Sequence, residues 1–147
     1  MIEYNKLTYD EYKEILTSVG WKMPSERLLK ISLEKGTNVK IIIDSKTIGM
    51  ARFVTDGGYA GLIMDVVVIP EYQGKGYAKM AYKALEKYAK DWLNIRKIKL
   101  DVVKDNVRAI KLYEKLDFKV CGNMELDRFV EGKYRDVVMM EKFIDVN

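Results

Sequence analysis

The stretch Asp65-Val66-Val67-Val68-Ile69-Pro70-Glu71-Tyr72-Gln73-Gly74-Lys75-Gly76-Tyr77-Ala78 runs from an apolar strand through a glycine-containing turn into a helix. That arrangement can hold a phosphate. The first N–H groups of a helix lack intrahelical partners and lie at the positive end of its dipole. Gly74 and Gly76 would let the backbone approach the anion with no side chain between. Glycines at such a junction can also serve the turn alone, and this segment by itself leaves both readings open. The spacing fits neither the Walker pattern Gly-x-x-x-x-Gly-Lys-Ser/Thr nor the dinucleotide pattern Gly-x-Gly-x-x-Gly. The chain has no histidine and one cysteine, Cys121, so no Cys/His metal cluster and no internal disulfide is expected.

The elements around this turn follow from periodicity. A strand over Ile2–Leu7 is predicted first, then a helix over about Tyr9–Ser18 ended by Gly20. Pro24-Ser25-Glu26 opens a second helix, with Leu28, Leu29, Ile31 and Leu33 on one side and Gly36 at its end. Val39–Ile43 and Ile48–Thr55 read as paired strands around Asp44-Ser45-Lys46, and Tyr59–Ile69 as a long strand. Alternation there puts Ile63, Asp65 and Val67 on one face and Met64, Val66 and Val68 on the other. A helix follows, with Tyr77, Met80, Ala81, Ala84, Leu85, Tyr88 and Trp92 on its apolar side. Ile98–Val103 is a strand, and Asp105 or Asn106 caps a helix with stripe Ala109, Leu112, Tyr113 and Leu116. Phe118–Gly122 and Asp136–Phe143 close the chain as strands. The order predicts a mixed α/β layer architecture around one central sheet with a parallel element in its middle.

At 147 residues, 48% apolar and 33% charged, the chain reads as one globular domain over residues 1–147. It lacks an apolar signal core near Met1–Tyr9 and any apolar run of about 18 residues, so a soluble cytoplasmic protein is expected, with no membrane partner. A net charge of +4 and a pI near 9.0 raise the question of nucleic acid, but the lysines are scattered among Glu and Asp rather than gathered into a stripe. No nucleic-acid partner is expected.

Gln73-Gly74-Lys75-Gly76-Tyr77-Ala78 resembles the Gln/Arg-x-x-Gly-x-Gly/Ala signature of GNAT acetyltransferases, preceded by their Val-x-x-Pro strand end. Asn106, Ala109, Leu112-Tyr113-Glu114-Lys115-Leu116 and Phe118 resemble the family's Asn-x-x-Ala-x-x-Leu-Tyr-x-x-x-Gly-Phe segment. Asp117 stands where the family usually has glycine, and aspartate tolerates the left-handed conformation. The resemblance implies the GNAT acyltransferase fold: a single, mostly antiparallel sheet with a parallel pair splayed at its middle and helices on both faces. It also implies an acetyl-CoA-dependent N-acetyltransferase, with acetyl-CoA as cosubstrate and no metal.

By the same resemblance the cofactor diphosphate sits on the amides of Gly74, Lys75, Gly76, Tyr77, Ala78 and Lys79, with Gln73 and Asn106 as further contacts. The Val66, Val67 and Val68 backbone pairs with pantetheine, and an amide near Val67 binds the thioester oxygen. Tyr113 resembles the tyrosine that many members use as general acid; a phenol near pKa ~10 and a thiol near ~8.5 are close enough for proton transfer. With no histidine, Asp65 and Asp101 are the candidate bases; each could instead bind a cationic acceptor or face solvent.

Family structure implies that the acceptor is gripped by Tyr9–Lys35 and by a loop over about Glu125–Arg135, regions holding Tyr12, Trp21, Met23, Glu125, Asp127, Glu131 and Tyr134. Ala51-Arg52, Thr55–Tyr59 and Asp65-Val66 resemble a branch of small members that includes arylalkylamine acetyltransferases. A small primary amine is the first expectation for the acceptor, a protein N-terminus or lysine the second. A non-catalytic CoA-binding regulatory module is the alternative of another class. A homodimer is implied by analogy.

Overall fold

The computed structural model describes residues 1–144. Strand β1 (Ile2–Tyr4) precedes helices α1 (Tyr9–Ser18) and α2 (Glu26–Lys35), then strands β2 (Thr37–Ile43), β3 (Lys46–Val54) and β4 (Ala60–Val68). Helix α3 (Tyr77–Trp92), strand β5 (Lys97–Val103), helix α4 (Val107–Lys115) and strands β6 (Lys119–Val130) and β7 (Lys133–Phe143) complete the order. The strands form one sheet, β1-β2-β3-β4-β5-β7-β6. Every neighbouring pair is antiparallel except β4 and β5. This is the expected mixed sheet with a parallel pair at its centre.

Residues paired across strands share a face of the sheet. Val39, Ala51 and Val66 are aligned across β2, β3 and β4, as are Thr37, Phe53 and Ile63. Their face is covered by α3, whose Ala81, Tyr82, Ala84, Leu85 and Ala89 are buried. The other face carries Lys40, Met50, Arg52, Asp65 and Val67 and is covered by α1. Helix α1 is fixed there by a capping box between Thr8 and Glu11. The Glu11 carboxylate also takes Lys40 Nζ at 2.9 Å and the Thr47 hydroxyl at 2.8 Å. Burial alone would raise the Glu11 carboxyl, but the Thr8 amide, Lys40 and Thr47 outweigh it and hold it below its usual range.

Four expectations need correction. Strand β1 stops at Tyr4, because Asn5 turns the chain at φ 55 and Leu7 docks through its amide on Asn38 Oδ1. On α3 the buried side is rotated from the predicted one: Met80 is 43% and Trp92 77% exposed, while Tyr82 and Ala89 are inside. Tyr82 is drawn in by Phe118, which packs edge-on to its ring at 5.5 Å. On β4 the ladder slips between Arg52↔Asp65 and Phe53↔Ile63, so Met64 is a bulge residue and Ile63 and Asp65 face opposite ways. The segment Glu125–Arg135 is not a loop: β6 and β7 run through it as a hairpin turned by Glu131 and Gly132, at φ 50 and 80.

The parallel ladder needs one glycine for space. Gly61 lies opposite Ile98, and a Cβ on it would fall 1.9 Å from Phe53 Cζ. No helix among the described residues is long and apolar enough to cross a membrane.

Candidate active site

Strands β4 and β5 pair only at Ala60↔Lys97, Gly61↔Ile98 and Leu62↔Lys99. Beyond Leu62 the two diverge, leaving the β5-facing edge of β4 without a ladder partner up to Val68. Which backbone groups line that edge follows from the period of two. The Ile69 amide donates to Ile48 O on β3 at 2.9 Å, so the Val67 N–H also points to β3. Val66 and Val68 therefore present their N–H and C=O groups to the opening. The Val68 carbonyl agrees, accepting the Gln73 side-chain amide at 2.9 Å. Of the amides near Val67, those of Val66 and Val68 face the gap, while that of Val67 points to β3.

A single 3-10 turn, Pro70–Tyr72, carries the chain from β4 to α3. Gln73 braces this turn against the strand end. Gly74 (φ 75) and Gly76 (φ 87) take left-handed conformations that favour glycine. Gly76 is the N-cap of α3 and offers no side-chain oxygen, whereas Thr8, Ser25 and Asn106 cap α1, α2 and α4 with theirs. The amides of Tyr77, Ala78 and Lys79 are thus left for an anion, in a first turn without an acid. Lys75 flanks the turn, its ammonium 5.4 Å from the Tyr72 ring centre.

A cation from another element joins them. Arg108 Nη2 on α4 lies 3.9 Å from where a Gly74 Cβ would be. Sequence reading missed this residue: its nearness to Gly74 depends on how α4 leaves β5, which no local pattern encodes. Asn106 caps α4, its Oδ1 accepting the Ala109 amide at 3.2 Å. At the other end of α4, Asp117 takes φ 71, the left-handed turn expected of it.

Tyr113 projects from α4 and is buried, with its ring edge-on to Phe118 at 5.5 Å. Its hydroxyl has no hydrogen-bond partner among the described residues. Burial, and then the Asp65 charge, push this phenol up to about 12. The expected near-match with a thiol does not hold: a phenol at about 12 against a thiol near ~8.5 makes complete proton transfer uphill by roughly 5 kcal/mol.

Asp65 is within electrostatic reach of Tyr113 and is held by two donors. Tyr12 Oη donates to its Oδ2 at 2.9 Å, and Arg52 Nε donates to the same oxygen at 2.6 Å. The Arg52 guanidinium also lies 4.9 Å from the Tyr12 ring centre. Burial, with Asp65 adding to it, pushes the Tyr12 phenol up, so Tyr12 stays a donor. Asp101 lies on β5 and is paired with Arg128 Nη2 of β6 at 2.7 Å. The structure thus brings Asp65, Tyr12 and Tyr113 together and puts Asp101 in a separate ion pair. Trp21 and Tyr134 are exposed, and Tyr134 packs on Phe129 at 5.1 Å along the hairpin. Glu125 and Asp127 are exposed on β6, and Glu131 reaches Arg135 at 3.6 Å. Among the described residues no cluster of His, Cys, Asp or Glu could hold a metal.

The model of the GNAT acetyltransferase family matches residues 5–118, spanning both the glycine turn before α3 and Tyr113. The chain belongs to that family. This GNAT domain is 38% identical over 104 residues to the spermidine N(1)-acetyltransferase of Escherichia coli K12, covering 60% of this chain and 56% of that one. Against the Vibrio cholerae spermidine N(1)-acetyltransferase it is 36% identical over 75 residues, 51% of this chain and 43% of that protein. The chain spans about half the length of these curated relatives. Among solved structures, the ribosomal-protein-S18-alanine N-acetyltransferase of Escherichia coli superposes at a TM-score of 0.86 with 20% identity, covering 100% of this chain and 96% of that one. Arabidopsis thaliana NAA60 with a bisubstrate analogue superposes at 0.83 with 17% identity over 100% of both chains. At these identities the likeness is one of fold.

Proposed function

We propose that this GNAT domain moves the acetyl group of acetyl-CoA to the primary amine of a small molecule. The observation that carries the reading is the pairing of two features at one end of β4. An unladdered strand edge at Val66 and Val68 leads through the Pro70–Tyr72 turn into a helix N-terminus that lacks a side-chain cap. The names of the relatives that match at 36 to 38% identity support an amine acceptor.

The residues present fit acetyl-CoA. The amides of Gly76 to Lys79, with Lys75 and Arg108 beside them, hold the diphosphate. The Val68 N–H and the Val66 carbonyl offer a donor and an acceptor to pantetheine, the Val68 carbonyl being held by Gln73. When bound, the cosubstrate supplies an activated acetyl thioester. The Val66 amide donates to the thioester oxygen and stabilises the charge that develops there. Tyr113 keeps its proton at physiological pH and donates a hydrogen bond to the departing sulfur. Asp65 receives the acceptor's ammonium and passes its proton to solvent, while Asp101 stays in its ion pair with Arg128 of β6.

A cytoplasmic setting and a homodimer are part of the same proposal. The lone cysteine, Cys121, is free and exposed. Strand β6 is one of the sheet's two edges, with Val120 and Phe129 exposed along it. The test of the function is release of free CoA thiol on mixing the protein, acetyl-CoA and a panel of amines. The reading fails if calorimetry detects no acetyl-CoA binding.

A further inference from the structure

The Arg52–Asp65 pair is complementary to more than an amine. Both side chains are almost enclosed, at 13% and 14% exposure. Yet each has groups left over. The two hydrogen bonds to Asp65 land on Oδ2, so Oδ1 has no partner among the described residues. Arg52 gives only Nε to Asp65, and its guanidinium also lies against Tyr12 and near that hydroxyl, so Nη1 and Nη2 complete no strict-geometry hydrogen bond to a described residue. Neither nitrogen is among the buried, unpartnered polar atoms, so both reach accessible space. The pair stands on the α1 face of the sheet, next to the residue whose amide is placed for the thioester, and its carboxylate is felt by Tyr113.

From this geometry we infer that the acceptor is an α-amino acid, bound through its ammonium on Asp65 Oδ1 and its carboxylate on the Nη groups of Arg52. The inference rests on the acetyl-transfer reading above and specifies its acceptor. A carboxylate with a free oxygen beside a guanidinium with two free donors is the mirror of a zwitterion's paired charges. A polycation gains nothing from the Arg52 side of the pair, where a second ammonium would meet a like charge. Two acids at the β5 end of the sheet are already paired, Asp101 with Arg128 and Asp105 with Arg135, each at 2.7 Å. In the reaction the ammonium gives one proton to solvent through Asp65. The nitrogen lone pair forms the new N–C bond as the C–S bond breaks, and the nitrogen's second proton ends on the CoA sulfur. The products are the N-acetyl amino acid, CoA thiol and one released proton.

Matched pairs that differ only by the carboxylate test this: tyrosine with tyramine, lysine with cadaverine and alanine with ethylamine, alongside spermidine and alaninamide. The readout is kcat/KM from thiol release. The expected result is that in at least one pair the amino acid exceeds its decarboxylated partner by about tenfold or more, with spermidine and alaninamide below it. Arg52→Lys, which keeps the charge but not the fork, should bring that ratio close to one while the acetyl-CoA KM changes by less than about twofold. If the variant does not fold, the wild-type ratios alone decide. Ratios at or below one in every pair, or spermidine as the best acceptor, overturn the proposal. Acetyl-CoA binding without turnover of any amine in the panel also overturns it, leaving the cofactor reading intact, whereas absence of acetyl-CoA binding overturns both.

Discussion

Replacing Tyr113 by Phe removes one hydroxyl and leaves the ring in place against Phe118. Two mechanisms give different sizes for the effect. A general acid that delivers a full proton contributes typically 10²–10⁴-fold. The buried Tyr113 phenol, pushed up to about 12, faces an uphill transfer of roughly 5 kcal/mol to a thiolate, so its main service is a hydrogen bond to a charged sulfur. Such a bond is worth about 1.5–3 kcal/mol, which converts to a loss of roughly 10- to 150-fold in kcat. The acetyl-CoA KM should move by less than about threefold, because the bond strengthens only as charge develops on sulfur. Stability should hold, since the hydroxyl makes no hydrogen bond to another described residue. The assay is thiol release under saturating acetyl-CoA from pH 6 to 9, with a thermal melt to confirm folding. Turnover equal to the parent's in a folded, cofactor-binding variant would refute the role. A loss beyond about 10³-fold, above the hydrogen-bond range and within that of a general acid, would refute the hydrogen-bond argument and restore full proton transfer.

Arg108→Gln should raise the dissociation constant for acetyl-CoA by about 10-fold, the cost of one charge-assisted contact to phosphate, and calorimetry at fixed ionic strength reads it. An unchanged constant would remove Arg108 from the cradle. Gly61→Ala puts a methyl group into the Phe53 ring and should destabilise the fold by about 1–3 kcal/mol, measured by urea unfolding. Glu11 has a folded-state pKa below its unfolded value, so its contribution is present above about pH 4.5 and is lost as pH falls through the lower folded value. Glu11→Gln should therefore flatten the acid limb of stability below about pH 4.5 while lowering stability at neutral pH; a parallel shift at every pH would contradict it.

The strand–turn–helix geometry of the proposed anion cradle was legible in the sequence because it is made of main chain. A strand, a glycine turn and a helix start leave a pattern in residue types that needs no knowledge of what packs beside them. The same holds for Asp117, whose left-handed turn is a local property, and for the helix caps at Ser25 and Asn106. Tyr113 was legible as a residue but not in its acidity, which is set by tertiary burial and by a carboxylate from another strand.

What the sequence hid was hidden by one extra residue. Strict alternation along β4 puts Asp65 on the same face as Ile63, that is, towards α3 and away from Tyr12. The bulge at Met64 reverses this and turns Asp65 to the α1 face, where Arg52 and Tyr12 meet it. A bulge is a feature of pairing rather than composition, so Met64 has no signature that separates it from an ordinary strand residue. It follows that the proposed acceptor site depends on register as much as on side chains. Deleting Met64 would restore regular pairing and carry one strand segment across to the wrong face. If the segment after it is the one that moves, the Val66 amide leaves the opening and Asp65 leaves Arg52 together. Such a deletion should abolish turnover at both substrates' sites at once, whereas Arg52→Lys should touch acceptor choice alone. A deletion variant that folds and still transfers acetyl groups with the parent's acceptor preference would show that the bulge does not set this site.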